Sequence, residues 1–239
     1  MSMQKKLVVI TGASSGIGQA AAKLFQEAGY TLLLLARSKL EVNHPDVMAA
    51  QVDITDVKSL EQAVKAAEEK FGPVDCLINN AGVMLLGEMD TQEPQEWQKM
   101  LDVNVMGLLN GIHVVLPGMI KRKEGTIIDV SSIAGRKTFP KHAAYCGTKF
   151  AVHAITENTR EEVAKHNVRM VTIAPGAVET NLLGHTTSDQ IKSDYTQWKE
   201  GMGGAMDPQA VAEAMRYAYQ QPQSVCIREI VLAATKQDA

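Results

Sequence analysis

Thr11-Gly12-Ala13-Ser14-Ser15-Gly16-Ile17-Gly18 follows the apolar run 7–10 and precedes a helical repeat of Ala20, Leu24, Phe25 and Ala28. The glycines fall in a G-x-x-x-G-x-G spacing. Glycine lets backbone N–H groups come close to an anion and permits positive φ. The helix that follows adds unpaired N–H donors and a partial positive charge. A pyrophosphate is the guest such a turn suits. The alternative is a tight connection without a ligand, but the strand-turn-helix context favours the phosphate reading.

Outward from this turn, apolar runs recur at 32–35, 48–52, 77–78, 126–130, 168–173 and 225–232. Helical patterns lie between most of them, at 56–70, 94–123, 143–165 and 207–219, and Gly29 stands as a cap after the first helix. Runs apolar on both faces belong in a covered sheet, and alternation with helices makes that sheet parallel. The chain therefore reads as α/β, one doubly wound Rossmann domain over 1–239. It has a seven-stranded parallel sheet and helices on both faces. Two irregularities are expected. The crossover 37–47 is short and contains Pro45, which leaves room only for an abbreviated helix. The helix 94–123 is expected to kink or break near Pro117-Gly118.

The 239 residues are 45% apolar and 21% charged, which excludes a disordered chain. A net charge of −3 argues against nucleic acid or an anionic membrane as partner. Cys76, Cys146 and Cys226 are an odd, widely spaced set, read as reduced thiols of a cytoplasmic protein. No segment is read as reaching the ~18 apolar residues of a membrane helix. Lys5-Lys6 before an apolar run of four is too short for a signal peptide, so the chain reads as mature from residue 1.

Arg37 ends the second apolar run, after Ala36. An acidic residue there would bind a ribose 2′-hydroxyl, whereas an arginine pairs with a 2′-phosphate. The expected cofactor is NADP(H), the alternative being a solvated arginine. Tyr145 and Lys149 share a helix face at i and i+4. A cation beside a phenol lowers its pKa and fits it for proton transfer. Ser132, at the end of the 126–130 run, is positioned to bond a substrate oxygen.

These pieces together resemble the short-chain dehydrogenase/reductase family over almost the whole chain. The matching segments are the glycine turn, Asp53-Ile54, Asn79-Asn80-Ala81-Gly82, Asn104 within Asp102-Val-Asn-Val-Met-Gly107, Ser132, Tyr145 with Lys149, and Pro175-Gly-Ala-Val-Glu-Thr180. The resemblance implies that Tyr145 is the general acid, Ser132 positions the carbonyl, and Lys149 binds the nicotinamide ribose. It implies that Asn104 organises a water leading to Lys149. On the cofactor, Gly12, Ser14, Ser15, Gly16, Ile17 and Gly18 would cradle phosphate. Asp53 and Ile54 would hold the adenine, and Asn80, Ala81 and Gly82 would wall the site. Pro175, Gly176, Val178 and Thr180 would form the carboxamide segment. The implied activity is NADPH-dependent hydride transfer to a small carbonyl, or from an alcohol in reverse. The alternative is an NADPH binder with little turnover, a redox sensor or one of the family's blue fluorescent proteins. Family members pair through helices such as 94–123 and 143–166 and through the last strand, which implies a homodimer or homotetramer. The short second crossover departs from the family pattern, as does Ser15, where some NADP-dependent members carry a basic residue.

Segment 180–206 is expected to cover the substrate. Ile191, Tyr195 and Trp198 form an apolar stripe there, with Gly201, Gly203 and Gly204 as hinges; ordinary packing is the alternative. Leu85, Leu86, Ile133, Phe139, His142, Leu182 and Leu183 are the expected pocket neighbours. No metal site is expected, since His142 and Cys146 lack further ligands. Met84, Met89, Met100 and Met106 read as core filler.

Overall fold

A computed structural model describes residues 5–237 of the chain; residues 1–4 and 238–239 of the expected domain lie outside the described residues. Seven strands form one parallel sheet. They are β1 (Leu7–Thr11), β2 (Thr31–Ala36), β3 (Val47–Gln51), β4 (Val74–Asn79), β5 (Gly125–Val130), β6 (Val168–Pro175) and β7 (Glu229–Leu232). Their spatial order is β3-β2-β1-β4-β5-β6-β7. The chain runs outward from β1 to β3, then returns to the far side of β1 with β4. The order thus reverses between β1 and β4, and crevices for ligands open at such switch points.

Alternate residues of each strand feed different cores. Val8, Ile10, Leu32, Leu34 and Ile78 face one cluster, against Phe25 of α1 (Gly16–Glu27) and Met215 of α7 (Pro208–Gln220). Leu7, Val9, Leu33, Leu35 and Leu77 face the other, against α2 (Val57–Phe71) and α4 (Gly107–Arg122). This period-two split is why the runs are apolar on both faces. Burying each Leu or Val side chain contributes about 1.5–3 kcal/mol. Helix starts follow local chemistry. Asp56 caps α2 through the N–H groups of Lys58 and Ser59, and Asp207 caps α7 before Pro208. Gly29 follows α1 at φ +85°, a conformation that favours glycine.

Four expectations change. Residues 37–46 contain no helix. They form an exposed link closed by a turn at Pro45-Asp46, because ten mostly polar residues cannot both climb back along the sheet and bury a face. The last strand begins at Glu229 rather than 225. The helical stretch is broken at Asp102–Met106, a π-helical turn between α3 (Pro94–Leu101) and α4, not at Pro117. Pro117 and His113 are both exposed. The carbonyl that proline leaves unpaired is therefore on the water-facing side. Finally, Pro94–Arg122 does contain an 18-residue window of mean hydropathy 1.6, long and apolar enough to cross a membrane. Its Leu108, Ile112, Val115 and Met119 pack against the sheet.

Candidate active site

At the carboxyl ends of β1, β4, β5 and β6 lies a cavity of about 880 Å³. The wall around the glycine turn is mostly backbone. Gly12 sits at φ +67°, and a Cβ there would lie 2.8 Å from the Cα of Ala81. A Cβ on Gly18 would lie 2.3 Å from the carbonyl oxygen of Gly12, so Gly18 closes the turn from behind and does not line the cavity. Thr11 Oγ1 accepts from the N–H groups of Asn80 and Ala81, 3.0 Å each. Asn80 Nδ2 donates back to the carbonyl of Thr11 at 3.0 Å. These bonds lash the ends of β1 and β4 together. Ser15 makes no side-chain cap at the start of α1, so the first N–H groups of that helix have no side-chain partner there.

Ser14, Ser15, Gly16 and Ile17 line the cavity beside Gly12. Arg37, Asp53 and Ile54 line its far end, and Asn80, Ala81 and Gly82 its floor. Pro175, Gly176, Val178 and Thr180 line the opposite wall with Ser132, Tyr145 and Lys149. Asn104 alone among the expected catalytic residues stands behind the wall. Its Oδ1 accepts from Val83 N–H at 2.8 Å; its Nδ2 donates to the Val83 carbonyl at 2.9 Å and to Thr148 Oγ1 at 3.1 Å. The π-helical turn carries Asn104 into these bonds. A Cβ on Gly82 would lie 3.3 Å from Asn104 Oδ1 and 3.8 Å from Lys149 Nζ, so the missing side chain leaves both groups facing one space.

Tyr145 and Lys149 lie on α5 (Ala143–Val163). Lys149 Nζ is 5.8 Å from the Tyr145 ring centroid and donates to the carbonyl of Val130 at 2.9 Å. Ser132 donates to the carbonyl of Pro175 at 3.3 Å and accepts from Ala134 N–H at 3.1 Å. Burial pushes the Tyr145 phenol above its usual value; Tyr195 adds to the rise, and a hydrogen bond with Ser132 opposes it. This reverses the expected lowering by Lys149. Burial also weakens the cation itself, holding Lys149 down to about 8, with Asp129 pulling it back up. Asp129, fully buried, is pushed up to about 6 by desolvation, against the hydrogen bonds of Asn79 (2.9 Å) and Thr156 (2.9 Å).

The remaining wall is the 180–206 segment. It comprises a 3₁₀ turn (Asn181–His185) and α6 (Asp189–Gly201). Its two roots meet in a bridge between Val178 and Met206. Side-chain latches hold it down: Lys141–Asp194 at 2.9 Å, Lys199–Glu179 at 2.6 Å and Thr187–Glu96 at 2.8 Å. The expected stripe of Ile191, Tyr195 and Trp198 faces the cavity. His142 stands beside Tyr145 and Tyr195, 6.3 Å from each, and burial lowers its pKa. Leu86, Ile133, Phe139, Leu182 and Leu183 line the cavity as expected, but Leu85 is buried away from it. Met84 and Met100 are buried, whereas Met89 and Met106 are exposed. Sequence reasoning missed His185 and Gln237, both on the cavity wall; neither belongs to a motif. Among the described residues no cluster of His, Cys, Asp and Glu has the makings of a metal site.

A sequence model of the short chain dehydrogenases matches residues 6–191. An uncharacterised oxidoreductase of Staphylococcus saprophyticus is 39% identical, covering 99% of this chain and 98% of that protein. Among solved structures, a closed serine dehydrogenase complexed with NADP+ superposes with a TM-score of 0.86 at 25% identity, covering 98% of this chain and 96% of that one. An alcohol dehydrogenase from the archaeon Thermococcus sibiricus, complexed with 5-hydroxy-NADP, gives 0.82 at 27%, covering 98% and 99%. A switch-point cavity, a family match over most of the length and a relative aligned end to end lead to one assignment: this chain is an oxidoreductase of the short-chain dehydrogenase/reductase family.

Proposed function

We propose that the protein is an NADP(H)-dependent oxidoreductase that reduces a small carbonyl compound, or oxidises the matching alcohol. The observation that carries this reading is the convergence of Tyr145, Ser132 and Lys149 on one wall of a cavity whose other wall is the glycine turn. The residues fit a dinucleotide. The turn is bare backbone, since a Cβ at Gly12 would collide with Ala81, and it lines the cavity; Arg37 stands exposed just after β2 to meet a 2′-phosphate. The relatives solved with NADP and its derivative support the same cofactor.

When bound, the reduced cofactor supplies the hydride. The chain does the rest. The raised phenol of Tyr145 stays protonated near neutral pH and can give its proton to the carbonyl oxygen. Ser132 orients that oxygen. Lys149, about 8, keeps its charge below that pH and favours the tyrosinate left behind. Asn104 holds the Gly82–Val83 backbone and offers Oδ1 toward the space it shares with Lys149, where a water can relay the proton. Segment 180–206 acts as the lid that excludes water, within what we read as one domain. The apolar wall of Phe139, Leu182, Ile191 and Trp198 supports an apolar or mixed substrate.

Exposed Leu101, Met106 and Phe150 on the outer faces of α3, the π-helical turn and α5 support pairing into a homodimer or homotetramer, which sedimentation measures. Three unpaired cysteines support a cytoplasmic setting, and the charge of −3 supports a small molecule as partner rather than nucleic acid or membrane. A panel of aldehydes, ketones and alcohols, assayed with NADPH and NADH on the parent and on Tyr145→Phe, tests the function. Turnover that depends on Tyr145 and NADPH is expected. Tight NADPH binding without any such turnover would instead identify a cofactor binder, with enhanced NADPH emission as the mark of a fluorescent one.

A further inference from the structure

Among the described residues two buried side-chain nitrogens lack a hydrogen-bond partner, His185 Nδ1 and Gln237 Nε2. Both side chains line the cavity. Buried polar atoms are nearly always paired, and an exception calls for an explanation such as a ligand atom. The two are not equivalent. Gln237 already uses its amide, accepting from Ala177 N–H at 2.9 Å. His185 has no hydrogen bond of its side chain among the described residues, and the charges that act on it are both cations, Arg37 and Lys99. A shielded ring nitrogen without a partner, near two cations, is the surrounding an anion would complete. His185 ends the 3₁₀ turn that opens the lid, and Arg37, which also lines the cavity, follows β2 directly.

We propose that His185 donates a ring N–H to a phosphate oxygen of the bound dinucleotide, so that the lid grips the cofactor along the anionic edge that Arg37 also meets. The proposal rests on the NADP(H) reading given above. Its consequence is that the lid and the cofactor bind together: the nucleotide supplies the missing partner of a lid side chain, and the lid supplies a donor that the glycine turn does not. An arriving phosphate favours the protonated ring, which turns the bond into a charge-assisted one.

The test is a titration of the full-length protein with NADPH and with NADH, read by nicotinamide fluorescence, on the parent, His185→Phe, His185→Ala and His185→Gln. Failure of the parent to bind NADPH defeats the cofactor reading, and the proposal with it. Where the parent binds, His185→Phe and His185→Ala are expected to weaken NADPH roughly 10-fold, the size of a lost charge-assisted bond. His185→Gln, whose amide can still donate, is expected to stay within about threefold of the parent. A loss confined to NADPH identifies the 2′-phosphate as the acceptor; an equal loss for NADH identifies the diphosphate. Dissociation constants of the Phe and Ala variants within about twofold of the parent for both nucleotides overturn the proposal. So does an equal loss in His185→Gln and His185→Phe, which would mark a packing role for the ring.

Discussion

The two walls of the cavity are built by opposite means. Around the glycine turn, between β1 and β4, the wall is backbone tied by two short side chains. Gly12 and Gly18 leave no room for a Cβ, and Thr11 and Asn80 bond carbonyls and N–H groups directly. On the lid side, partly exposed side-chain pairs tie α6 to neighbouring loops, through Lys141–Asp194 and Lys199–Glu179. A wall of backbone cannot be retuned without altering the fold. A wall of exposed latches can change by single residues with little effect on stability.

Tyr145→Phe removes the proposed proton donor on the wall facing the glycine turn and should have the largest effect. Turnover is expected to fall about 10²–10⁴-fold, the usual size of a lost general acid, with NADPH affinity unchanged in a fluorescence titration. Gly18→Ala probes the backbone wall. Its Cβ would collide with the Gly12 carbonyl, so thermal unfolding should reveal a loss of about 1–3 kcal/mol together with weakened NADPH binding. If stability held while binding fell, the backbone wall would be no more tied to the fold than the lid. Arg37→Ala separates cofactor choice from both walls. NADPH affinity is expected to drop about 10- to 100-fold with NADH little changed; equal losses would remove the 2′-phosphate contact.

A pH profile sharpens the electrostatic side of the comparison. Lys149 is held down to about 8, so its charge is lost as pH rises through that value, and the reduction rate should decline there. Asp129 raises the lysine pKa by its negative charge. Asp129→Asn should therefore move the decline to lower pH; a shift to higher pH, or none, would contradict the coupling. The smallest effect is expected at the latch. Lys141 and Asp194 are partly exposed, and such pairs contribute about 0–1 kcal/mol. Lys141→Ala should change kcat/KM by no more than about fivefold and leave the melting temperature almost unmoved.

The same contrast explains which parts of the fold and site are legible in the sequence. The runs around Val8, Leu33 and Ile127 announce their strands because each residue has a core to fill on its own face. The glycine turn, Ser132, Tyr145 and Lys149 carry their chemistry in local spacing. The break at Asp102–Met106 has no local signal. It exists because Asn104 turns inward to the Val83 backbone, 21 residues away along the chain, whereas Pro117, the evident suspect, sits on the water side and breaks nothing. Met106 and Met89 look like core residues by type and are exposed, since methionine is compatible with either environment. His185 and Gln237 reach the cavity only through the return of the lid and of the last residues over the sheet. The direction of the Tyr145 shift was likewise hidden, because spacing reveals a neighbouring cation but not how deeply the pair is buried.

The strand order has a consequence for how the chain is made. Once β4 has docked beside β1, every later strand is laid on the outer edge of the one before it, β5, then β6, then β7. A chain emerging from the ribosome can thus add each new β-α unit to a platform already standing, without reopening it. The pairing of β1 with β4 waits longest, until the 62 residues between the two have been synthesised, and that delayed seam is the one beside which the glycine turn stands.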